Sequence, residues 1–92
     1  MRDSLVTMFD DIRAERPPIY DAARWGEWIA ALRQVIQQLP TYDQRWASVA
    51  LVADDLAGAM GMPLACAYRG LAPLLLDDND RQRVGVEKGG AQ

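Results

Sequence analysis

Few residues in this chain could carry out catalytic chemistry. Its 92 residues include no histidine, which removes the commonest proton shuttle and the commonest nitrogen ligand for a metal. The single cysteine, Cys66, can build neither a thiolate metal site nor an internal disulfide. Set in an apolar helical run, it reads as a small core residue. Three carboxylate pairs, Asp10-Asp11, Asp54-Asp55 and Asp77-Asp78, have the right groups for acid–base work or for a hard cation. Neighbours on a helix point about 100° apart, so each pair is expected to be a solvated face. Gly58, Gly61 and Gly70 lack the spacing of a phosphate-cradling loop and suit helix packing and a turn. Tyr20, Trp25, Trp28, Tyr42 and Trp46, interleaved with Arg24 and Arg45, have the types that stack bases. Their helical spacing makes them core residues instead, with one tryptophan left partly exposed. The expectation is a non-enzymatic chain with no metal and no cofactor.

Composition narrows the class further. Half the residues are hydrophobic and a quarter are charged, the profile of one globular domain. Net charge is −3 and the pI is near 4.7, so no whole-molecule field attracts nucleic acid or an anionic membrane. No apolar run approaches the roughly 18 residues of a membrane span, and the acidic N-terminus has no signal-peptide core. The expected location is a reducing cytoplasm.

The elements that would position any functional residue are all helical. Asp3 or Ser4 can cap a first helix that lines one face with Leu5, Met8, Phe9 and Ile12. Pro17-Pro18 stops it by Arg16 and makes residues 15–20 a stiff connection. Asp21 caps a second helix whose stripe is Trp25, Trp28, Ile29, Leu32, Val35, Ile36 and Leu39, ended by Pro40. Thr41 and Gln44 form a capping-box pattern for a third helix, with Trp46, Val49, Ala50, Ala53, Leu56, Ala57 and Met60 on one face. Leu51 and Val52 lie off that face, which predicts that this helix is central. Gly61 then takes the left-handed turn, and Pro63 occupies the first position of a fourth helix. Pro73 predicts a break near Gly70 to Ala72, after which Leu74, Leu75 and Leu76 pack back. Residues 1–76 make the domain, and 77–92 read as a flexible tail, with a small wing-like hairpin at Asp80 to Val86 as the alternative. The fold class is all-α, a small bundle of four to five helices.

One stretch carries a resemblance. LAGAMGMPLACAYRGL, within residues 52–72, resembles the helix-turn-helix of bacterial and phage repressors. The match rests on Ala57, the Met60-Gly61-Met62 turn, Ala67, and the Tyr68-Arg69 pair, which is similar to the tyrosine-plus-basic step of tetracycline-repressor-type recognition helices. It implies a steeply crossed helix pair, with Leu56, Ala57 and Met60 facing Ala67, Tyr68 and Leu71. Recognition helices usually turn Ser, Thr, Gln, Asn, Arg or Lys outward. Here the outward positions are Leu64, Ala65, Tyr68, Arg69 and Ala72.

Three function classes follow. The first is a protein-binding module of inhibitor, adaptor or anti-activator type, docking through Leu64, Tyr68 and Arg69 on another protein or on a second copy as a homodimer. In general build it is similar to accessory products of phages and mobile elements. The second is a dimeric DNA-binding regulator, disfavoured because Arg69 is the only cation between Arg45 and Arg81. The third is a purely self-associating structural protein.

Overall fold

Helix-forming periodicity and four chain-breaking prolines divide the chain as its pattern predicts. The computed structural model describes residues 4–82. They form α1 (Ser4–Ala14), α2 (Ala22–Gln37), α3 (Tyr42–Met60) and α4 (Leu64–Leu75), then a short helical turn at 78–82. No strand occurs among the described residues, and the chain is an all-α bundle. The caps act at short range. The Asp21 carboxylate accepts the Arg24 backbone N–H at 3.1 Å, and the Thr41 hydroxyl oxygen accepts that of Gln44 at 3.1 Å. Each such cap stabilises its helix by about 1 kcal/mol. Ser4 is already the first residue of α1, and the other candidate cap, Asp3, lies outside the described residues.

The core is shared by α2, α3 and α4. Trp28, Leu32, Val35 and Ile36 are buried on it, and it packs on α1, α3 and α4. Phe9 comes from α1, Val49, Val52, Ala53 and Leu56 from α3, and Ala67, Leu71, Ala72 and Leu75 from α4. The expectation that α3 is covered from more than one side holds: it packs on both α4 and α2, and buries Tyr42 besides Val49, Val52, Ala53 and Leu56. Of its two off-stripe residues Val52 is buried and Leu51 remains exposed, so one side of α3 faces solvent. Met8 and Met60 are exposed as well. Met8 falls beside the narrow contact that Leu5, Phe9 and Ile12 make, and Met60 is the last residue of α3, where the chain is already turning away.

The predicted break in α4 does not occur. The helix runs unbroken to Leu75 with Pro73 inside it. Arg69 and Pro73 both lie on the exposed face, so the Arg69 carbonyl that proline cannot satisfy is next to water. Buried Leu71, Ala72 and Leu75 hold the last turn on the core meanwhile. Ala72 is thus inward, not outward as the resemblance to a recognition helix implied. Cys66 is exposed rather than core, because Ala67 and Leu71 take the inward positions and its side chain falls about 100° away from Ala67.

The domain also extends past residue 76. The Asp77 carboxylate accepts the Asp80 backbone N–H at 2.9 Å, and Asp80 is buried against Arg45. Residues 78–82 are helical, so a wing hairpin does not begin at Asp80. The rest of the expected tail, from 83 onward, lies outside the described residues.

Gly61 offers a local test. Its φ of 67° and ψ of 35° are left-handed, whereas Gly58 is an ordinary residue of α3. A Cβ at either position meets nothing within 4 Å, so any difference between them comes from the backbone alone. Thermal melts of Gly61→Val should show a loss of about 1–2 kcal/mol. Gly58→Ala should be neutral or gain up to about 1 kcal/mol of helix propensity. Equal effects would mean that Gly61 is not held left-handed in solution.

Candidate binding surface

The turn sets which side of α4 faces outward. Both the Gly61 and Met62 N–H groups donate to the Ala57 carbonyl, at 2.8 and 3.1 Å, closing α3 in a left-handed cap. Pro63 then precedes α4 as its cap residue (φ −61°, ψ 144°), one position earlier than its expected place inside the helix. Its carbonyl accepts from Cys66 and Ala67, at 3.0 and 3.2 Å. From that start Ala67, Leu71 and Leu75 turn inward, as their spacing predicts.

The three residues proposed for partner binding do not end up alike. Leu64 is 50% exposed and Arg69 is exposed, so both look outward. Tyr68 is half-buried. Its ring packs on Trp46 with centroids 5.1 Å apart and belongs to the edge of the core. The expectation that Tyr68 faces out is corrected, because α3 supplies a tryptophan at the height where that ring emerges. Met60, 49% exposed, lies across the turn from Leu64 and adds apolar surface that the sequence assigned to the interior. Between Asp55 and Asp77, Arg69 is the only charged residue. The outer side of α4 is therefore apolar with one guanidinium.

The other candidate groups are dispersed. Trp25 and Trp28 pair at 5.3 Å, while Trp46 pairs with Tyr68, so the aromatic residues form two pairs instead of one stacking platform. Tyr20 stands 97% exposed. Arg45 is held by polar partners: its Nε and Nη2 donate to Asp80 at 2.6 and 3.2 Å, and Nη1 donates to the Leu39 carbonyl at 2.8 Å. The Asp80 hydrogen bond raises the Arg45 pKa above its ordinary value, partial burial opposes this, and the charges of Asp80 and Asp77 add to it.

Of the carboxylate pairs, Asp10, Asp11 and Asp54 are exposed. Asp55 is not simply solvated. It accepts from Arg13 Nε and Nη2 at 2.8 and 3.2 Å, fastening α1 to α3 and raising the Arg13 pKa chiefly through that hydrogen bond. Asp77 caps the 78–82 turn and Asp78 pairs with Arg81. Among the described residues no three His, Cys, Asp or Glu side chains come together as a metal site. No described helix is long and apolar enough to cross a membrane.

One feature escaped the sequence reading. A cleft of about 700 Å³ opens between the 17–21 connection and the end of α3, lined by Arg13, Arg16, Arg24, Asp21 and Asp55 among others. The signal was present in Pro17-Pro18, which folds the chain back so that arginines eight residues apart reach one opening. Comparison with known protein families, with characterised proteins and with solved structures gives no match for this chain.

Proposed function

We propose that this chain is a non-enzymatic binding module that docks through the α3–α4 turn and the outer side of α4, on a protein partner or on a second copy of itself. The observation that carries the reading is half-exposed Leu64 and half-exposed Met60 on either side of the turn, in a stretch, 56–76, whose only charged residue is Arg69. Arg69 is of a type enriched among the few residues that supply most of the binding energy at an interface, and half-exposed Leu64 and Met60 add apolar surface that a partner would remove from water. Tyr68 serves as support beneath the patch, fixing α4 against Trp46, and not as a free contact.

Leu64→Asp tests this directly. At half exposure the substitution should shift stability by no more than about 0.5 kcal/mol, and the melt should stay cooperative. Sedimentation equilibrium of the wild-type chain should show a concentration-dependent dimer that this variant abolishes. Tyr68→Ala, by contrast, should lower the melting temperature, since it strips a ring from the core edge. A wild-type chain that stays monomeric shifts the reading to a different protein partner; a Leu64→Asp variant that unfolds would end it.

A helix-turn-helix DNA regulator is the second reading, supported by the left-handed Gly61 turn and by Arg69 on the outer side of the second helix. One cation offers few phosphate contacts, so duplex binding should be weak at physiological salt. Tight, sequence-selective anisotropy changes that weaken steeply with salt and vanish in Arg69→Ala would put this reading first.

A further inference from the structure

We infer that the cleft between the 17–21 connection and the C-terminal part of α3 binds a small organic anion, a carboxylate or phosphate carried on a flat apolar body. Its size, about 700 Å³, falls in the range of small-molecule sites. The charged residues that line it are Arg13, Arg16 and Arg24 against Asp21 and Asp55, with Asp10 and Asp54 acting on Arg13 from just outside the lining.

The arginines are not equivalent. Arg13 is committed to Asp55 by two hydrogen bonds, so those two largely cancel. The Asp21 carboxylate already caps α2 by accepting from the Arg24 backbone N–H. Arg16 and Arg24 form no ion pair among the described residues, although both are charged and both line the cleft. Their planar forks match a carboxylate or phosphate group. They also line an adjoining cleft of about 510 Å³ on the other side of Pro18, where Glu15 and Glu27 oppose them. That balance of two against two places the anion on the Asp55 side.

The apolar half of the site comes from Pro17, Ile19, Tyr20, Gly58 and Ala59. Gly58 and Ala59 leave the α3 wall nearly flat, and a side chain added at Gly58 would meet nothing within 4 Å. Tyr20 stands at the rim almost fully exposed, free to close over a bound ring. None of Met60, Leu64, Tyr68 and Arg69 lines this cleft, and the inference does not depend on what α4 binds.

The test is a titration of the isotopically labelled full chain, followed by nuclear magnetic resonance, with phenyl phosphate, benzoate, inorganic phosphate and uncharged anisole as probes. Saturable shifts are expected for phenyl phosphate or benzoate at the Arg16 and Arg24 side-chain N–H signals and at residues 17–24 and 58–59. Whichever of the two binds more tightly identifies the head group. Arg16→Gln and Arg24→Gln should each weaken binding by about tenfold, as loss of a charge-assisted fork predicts. Gly58→Leu should block the probe sterically while every charge stays in place, with a melt unchanged or slightly raised by the better helix former. Shifts that fail to saturate, that fall equally on Arg33 and Arg69, or that survive Gly58→Leu would overturn the site. So would equal affinity for inorganic phosphate and phenyl phosphate, or binding of anisole as tight as that of the anions.

Discussion

Asp80→Ala is expected to destabilise the protein by about 3 kcal/mol, the low end of the range for removing one partner of a buried ion pair. In a domain this small that lowers the melting temperature by more than about 10 °C. Asp80 is 2% exposed, and its two oxygens take Nε and Nη2 of Arg45, whose remaining Nη1 reaches the Leu39 carbonyl. One guanidinium therefore joins the end of the α2–α3 connection to the 78–82 turn. Removing the carboxylate leaves a part-buried cation with a single carbonyl partner. Arg45→Ala should be at least as damaging, because Asp80 is the more buried of the two. Asp78→Ala is the control. Its pair with Arg81 is solvent-exposed, and the change should be within noise. Urea melts of the three variants decide the matter: if all three lie within about 0.5 kcal/mol of wild type, the latch does not hold in solution.

Leu76→Ala should remove roughly 2–5 kcal/mol, the range for truncating a buried leucine, while Leu74→Ala stays within about 0.5 kcal/mol. These residues sit two apart, just past Pro73. Leu76 is 1% exposed and Leu74 is 40% exposed. The contrast exists only if α4 runs through Pro73 without breaking. A kinked helix would rotate the segment and redistribute burial among Leu74, Leu75 and Leu76. Similar melting temperatures for the two variants would indicate such a rotation.

The helices themselves were legible, each for a nameable reason. Asp21 and Thr41 cap where their types predicted, Pro17-Pro18 and Pro40 interrupt the chain as expected, and Gly61 is the left-handed residue of the turn. The inward stripe of α2 was readable too, because a helix that packs on three neighbours imposes a strong period on its sequence. The candidate site was legible only in part. Leu64 and Arg69 face outward as their spacing implied, but Tyr68 does not, because its environment is set by Trp46, twenty-two positions earlier on another helix.

What the sequence determined by itself are the interactions that close within one helical turn: caps, the glycine turn, and the period that separates the two sides of each helix. Only the tertiary structure decided that Met60 and Cys66 are exposed, that Ala72 is buried and that α4 survives Pro73. It alone paired Arg13 with Asp55 and Arg45 with Asp80, partners 42 and 35 residues apart, and brought Arg16 and Arg24 to one cleft. The physical reason is the same in each case. A residue at the edge of an apolar stripe is buried or bare according to how its helix is rotated and where the next one crosses. That rotation is the joint result of every side chain in the core, which no local signal records.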